Sequence, residues 1–122
     1  MNRINAFLAT LLTSTGLVAH HATTVAYDTE NLGTIEGEVV SVFWRNPHIV
    51  VTIERVSASG VRETWDAEAG SVNSLQRIGI GRDIVSIGDR VTLMGALSRE
   101  GLPAMAAYTM TLPDGNEIAL WP

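Results

Sequence analysis

The sequence predicts an all-β fold with one short helix. The expected architecture is an OB-like five-stranded barrel in the order β-β-β-α-β-β, closed by a short C-terminal strand. Three observations predict it. Beyond residue 30, turn signals recur roughly every ten residues, and the runs between them are rich in Val, Ile and Thr. The apolar phase of the first run changes partway, which marks a long, bent strand. A single helical stretch separates the third strand from the fourth, whereas an immunoglobulin-like sandwich has about seven strands and no helix.

The first strand is expected over Gly33–Trp44. Ile35 and Val39 hold odd positions, while Val40, Val42 and Trp44 hold even ones. A strand with a two-residue period cannot change face without an extra residue, so a bulge belongs near Val39–Val40, with Gly37 easing the bend. Asn46-Pro47 makes the turn. The second strand, His48–Val56, carries Ile49, Val51 and Ile53 inward and His48, Val50, Thr52 and Glu54 outward. Ala58-Ser59-Gly60 suits a three-residue hairpin loop with glycine in the left-handed position. The third strand, Val61–Ala69, points Trp65 and Ala67 inward and Thr64, Asp66 and Glu68 outward.

Ser71 then caps a helix over Val72–Ile78, and Gly79 suits the position just past its end. Gly88-Asp89 turns into the fourth strand, Arg90–Leu97, with Val91 and Leu93 inward. The fifth strand is Ala104–Leu112, in which Met105 reads as outward and Met110 as core. Asp114-Gly115 is a hairpin signal, and Glu117–Trp121 forms the last short strand. Met94, outward on the fourth strand, and both other methionines read as gap-fillers rather than copper(I) ligands.

The 122 residues suffice for one globular domain, and the 46% apolar content excludes disorder. Eight scattered arginines against 13 acidic residues give a net charge of −5. Nucleic acid needs clustered cations, so it is not an expected partner. With no cysteine, disulfides, iron–sulfur clusters and thiol catalysis are excluded.

The first segment reads as an address. Arg3 precedes the 14-residue apolar run Ala6–Ala19, which falls short of the ~20 residues a membrane helix needs. That pattern is a secretory signal peptide over residues 1–19. Cleavage after Ala19 is preferred, although Leu17 is not ideal at the −3 position; a cut after Ala26, with Thr24 at −3, also satisfies small-residue rules. Residues 20–32 then form an extension ahead of a barrel domain over 33–122. The mature chain is expected in the periplasm or secreted, with no membrane span.

Several motifs resemble a single family. They include Ala19-His20-His21, Tyr27-Asp28, Trp44-x-Asn46-Pro47-His48, Trp65-x-x-Glu68, Leu75-x-Arg77-x-Gly79 and Leu112-Pro113-Asp114-Gly115. The set resembles small exported bacterial proteins classed as a domain of unknown function. Departures are Ala22 where that family usually has Ser, and Ile80 where Trp often follows the terminal glycine of the helix. The resemblance implies an exported barrel and no established activity.

Three histidines carry the functional expectation. Cleavage after Ala19 makes His20 the first residue, so its α-amine and imidazole can chelate one ion. His21 or His48 supplies further imidazole nitrogen, and a nitrogen-rich open site suits copper better than zinc. Across the hairpin, paired positions sum to 118, which sets Val50 opposite Glu68 and His48 diagonal to it. A carboxylate there fixes the imidazole tautomer. The bland alternatives are a solvated His20-His21 tail and a His48 that bonds turn backbone.

The competing functional reading is a metal-free interaction module that docks a partner protein or small ligand through Trp44, Asn46 and the outer face. Trp44 and Trp65 suit a stacking platform, with core as the default role of Trp65. Asp66 and Glu68 share one face, either for acid–base work or as a solvated surface balanced by Arg77. No phosphate loop, nucleophile elbow or His-Glu-x-x-His motif is present, so nothing nominates an enzyme.

Overall fold

The computed structural model describes residues 25–122. The elements are β1 (Tyr27–Phe43), β2 (Val50–Val56), β3 (Arg62–Glu68), α1 (Val72–Arg77), a 3₁₀ turn (Arg82–Ile84), β4 (Arg90–Ser98), β5 (Ala104–Thr111) and β6 (Glu117–Ala119). The sheet runs β3-β2-β1-β4-β5-β6, and a short parallel pairing of β3 with β5 joins its ends. Five strands thereby form a barrel-like ring, less regular than a closed barrel, while β6 hangs on β5. Among the described residues, no helix is long and apolar enough to cross a membrane.

β1 serves two neighbours, which explains its 17-residue length. Its first part pairs with β4 from Tyr27↔Ser98 to Glu38↔Arg90, and its end pairs with β2 from Glu38↔Glu54 to Phe43↔Val50. The strand starts at Tyr27 rather than at Gly33. The sequence hides this start because Thr29–Asn31 bulge out between the Asp28 and Leu32 pairings and break the alternation. The second bulge falls where the phase change requires it. Val39 pairs with Ile53 and Ser41 with Thr52, so Val40 is the extra residue and is 38% exposed rather than inward. Val42 and Trp44 then face the core again.

Ile49, Val51 and Ile53 are buried as their alternation requires. The β2–β3 register puts Val50 opposite Glu68, and the hairpin glycine, Gly60, adopts φ +81°. Ser71 caps α1, its hydroxyl accepting from the Ser74 N–H at 3.0 Å. Leu75 plugs that helix into the core.

One assignment fails. Met105 is buried, not outward. The ladder steps from Met94↔Thr109 to Gly95↔Ala107, leaving Tyr108 as an extra residue on β5. Met105 and Ala107 precede that bulge and Met110 follows it, so all three share the core face. At the same step the strands crowd together. An added Cβ on Gly95 would lie 1.9 Å from the Ala106 carbonyl oxygen, so only glycine fits there.

Candidate functional site

The site forms where four chain segments meet. Beyond β2 the pairing with β3 continues, Ala69 N–H donating to Ile49 O at 2.7 Å and Ile49 N–H to Gly70 O at 3.1 Å. His48 therefore sits one step before Ile49, diagonal to Glu68 at the end of β3. The peptide bond between Asn46 and Pro47 ahead of it is cis.

The C-terminal segment arrives through the β5 bulge. The Tyr108 carbonyl accepts from Leu120 N–H at 2.8 Å, and the Leu120 carbonyl accepts from Gly70 N–H at 2.7 Å. Trp121 is thereby delivered beside β3, where its indole N–H donates to the Glu68 backbone carbonyl at 3.2 Å. Its ring meets the His48 imidazole edge-on, with centroids 5.1 Å apart and planes at 82°. The start of β1 is the fourth segment. Through β4 and β5 it lies on the same side of the ring as Glu68, and the Tyr27 hydroxyl donates to Glu68 Oε2 at 2.9 Å.

Glu68 thus holds two partners at once. One carboxylate oxygen takes the Tyr27 hydroxyl and the other contacts His48 Nδ1. A carboxylate acceptor fixes Nδ1 as the nitrogen that carries the hydrogen, so in the neutral ring the lone pair is on Nε2. Nε2 has no partner among the described residues, and the His48 side chain is 22% exposed. Burial pushes the Tyr27 phenol well above its ordinary pKa, and the hydrogen bond and negative charge of Glu68 add to the shift. The hydroxyl therefore stays protonated and acts as a fixed donor.

The other expected site residues have different jobs. Asn46 Oδ1 accepts from Val72 N–H at 2.9 Å and ties the turn to the start of α1. Trp44 packs against the core. Trp65 is tied down on its own: its indole N–H reaches Glu63 at 3.2 Å and the Arg55 guanidinium lies 5.4 Å from its ring centre. The indole N–H first, and then Arg55 Nε, which donates to Glu63 at 2.9 Å, hold the half-buried Glu63 carboxyl below its ordinary range. Trp44 and Trp65 make no ring contact with each other. Asp66 accepts from the Thr52 hydroxyl at 2.8 Å, and Arg77 pairs with neither Asp66 nor Glu68.

His20 and His21 lie outside the described residues. Among those described, no cluster of three or more His, Cys, Asp or Glu side chains is placed to hold a metal ion. His48 and Glu68 supply part of a site at most.

Two members of the constellation escaped the sequence as site residues. Tyr27 belonged to a segment read as an extension, and Trp121 reaches Glu68 only through the bulge at Tyr108, which the alternation does not reveal.

Residues 9–106 match a family of unknown function, DUF6152. The chain belongs to that family. Tyr27, His48 and Glu68 fall inside the matched range, and Trp121 falls beyond it. Neither the curated proteins nor the solved structures hold a match to the chain. Membership in the DUF6152 family brings no activity with it, so the chemistry rests on the side chains.

Proposed function

We propose that this protein is a small exported accessory protein that binds copper through Nε2 of His48. The remaining ligands are the α-amine and imidazole of His20, with His21 as a further nitrogen donor. The observation that carries this reading is the grip of Glu68 on His48 Nδ1. Histidines that ligate metals characteristically donate their second ring nitrogen to a carboxylate, which aims the ring and raises its basicity.

The tether length also supports it. Tyr27 opens β1 at Glu68, and the seven residues back to His20 span at most ~25 Å. That reach includes His48 with slack to spare. Imidazole and amine nitrogens favour copper over zinc, and copper over the hard cations.

The test is a copper(II) titration of protein processed by its own host, compared with His48→Ala and Glu68→Gln. One equivalent should bind the parent. Loss of His48 should remove most of the affinity, and Glu68→Gln should weaken it by roughly 10–100-fold, the usual effect of losing such a support. Unchanged affinity in His48→Ala ends the reading. So does N-terminal sequencing that starts the exported chain at Tyr27, because both upstream ligands are then gone.

A further inference from the structure

A groove at the end of β1 shares no lining residue with the His48 constellation. Beyond Val39, β1 has no partner on its β4 side among the described residues. The last bonds there are Val39 N–H to Asp89 O and Gly88 N–H to Val39 O, both 2.8 Å. Among the described residues Ser41–Phe43 pair with β2 alone, which leaves one edge of this stretch open. β4 begins at Arg90, opposite Glu38, and β1 runs on past it. The bulge at Val40 leaves that side chain 38% exposed.

A groove of about 380 Å³ runs along that open edge. Val85, which is buried, and Val42 form its apolar base, with Val40 and the 73%-exposed Ile87 as walls. Arg82 sits on the rim and makes no ion pair with a described residue, unlike Arg55, Arg62 and Arg90, which each hold a glutamate. The neighbouring Asp89 carboxylate does not face Arg82 as a partner; it accepts the Ser86 N–H at 2.9 Å.

We propose that this groove binds an extended peptide segment with alternating apolar side chains that ends in, or carries, a carboxylate. Each part has its match. The open edge of β1 offers backbone donors and acceptors to an added strand, the valines and Ile87 take alternate side chains, and Arg82 takes the carboxylate. Three residues of open edge measure about 10 Å, so the middle three residues of a five-residue peptide can lie along it, with one residue overhanging at each end. The backbone edge selects a peptide over an alkyl-chain amphiphile, which has nothing to pair with it.

The test uses fluorescein-labelled Val-Ser-Val-Ser-Val with a free C-terminal carboxylate, followed by fluorescence anisotropy with the full chain. Its C-terminal amide should bind about tenfold more weakly, and Arg82→Gln should erase the difference between acid and amide. Ile87→Ser, an exposed change that leaves the core untouched, should weaken both forms. Dodecanoate should not displace the peptide. Equal binding of acid and amide by the parent overturns the proposal, as does no saturable binding up to 1 mM peptide. Full displacement by dodecanoate overturns it in favour of a lipid-like ligand. Copper is absent from every arm, so these outcomes are independent of the His48 reading.

Discussion

The Tyr27 hydroxyl donates to Glu68 across 41 residues of sequence, and it does so on the carboxylate that also engages His48. The start of β1 is thus pinned to the end of β3 by one polar contact. Tyr27→Phe removes that contact and keeps the ring. A bond to a charged acceptor in a partly buried position is worth about 1–2 kcal/mol, so the free energy of urea unfolding should drop by that amount. The pH dependence has a definite sign. The folded pKa of Tyr27 is raised, so its contribution is complete below the unfolded tyrosine value of about 10 and is lost as pH climbs above it. Parent and Tyr27→Phe should therefore converge in stability on the alkaline side. Parallel curves from neutral pH to about pH 11 would contradict the assignment.

Trp121 should show two separable contributions. Trp121→Phe keeps a ring against His48 and loses the N–H bond to the Glu68 carbonyl, at a cost of about 1 kcal/mol. Trp121→Ala also loses the edge-on pair, worth a further ~0.5–1.5 kcal/mol before the lost burial is counted. Chemical denaturation should rank parent, Phe and Ala in that order. An alanine variant as stable as the phenylalanine one would mean that the ring contact with His48 carries no energy.

Much of the fold was legible because it rests on short-range rules. The alternation of Ile49, Val51 and Ile53, the Ser71 cap and the register about Gly60 are all local, and together they bring Glu68 to His48. What was not legible depends on extra residues in a ladder. Tyr108 and the Thr29–Asn31 bulge each reset a phase that simple alternation carries forward, whereas the bulge at Val40 was legible. Met105 was misassigned for that reason, and Tyr27 and Trp121 were missed as neighbours of Glu68 because their routes to it pass through bulged pairings. A bulge leaves a sequence trace only when apolar residues flank it on both phases. Val39 and Val42 do so clearly, whereas the run Ala104–Ala107 is apolar on both faces and hides the phase change between Met105 and Met110.

The crowding at the Tyr108 bulge makes its own prediction. Gly95→Ala drives a methyl group into the Ala106 backbone, which no side-chain rotation relieves. The cost should reach roughly 3 kcal/mol or more, the upper range for overpacking. Gly60→Ala is the control: it meets nothing within 4 Å and pays only for its positive φ, about 1 kcal/mol. Thermal unfolding of the two variants should separate them clearly. A Gly95→Ala protein as stable as Gly60→Ala would require β4 and β5 to lie farther apart.

Asn46 and Ser71 satisfy different donors of the same short helix, and that difference separates a structural role from a positioning one. Asn46 takes the Val72 N–H and Ser71 takes the Ser74 N–H. Each is a capping-type bond, so alanine at either position should cost about 1 kcal/mol. Their effects on the site should diverge. Ser71 acts within the helix, so Ser71→Ala should lower stability and leave copper affinity unchanged. Asn46 is two residues from His48 and fastens the turn that aims it, so Asn46→Ala should lower stability by a similar amount and also weaken copper binding. Asn46→Asp keeps the acceptor oxygen and should restore both. If Asn46→Ala and Ser71→Ala bind copper equally well, the tie to α1 has no part in holding His48, and the imidazole is aimed by Glu68 and Trp121 alone.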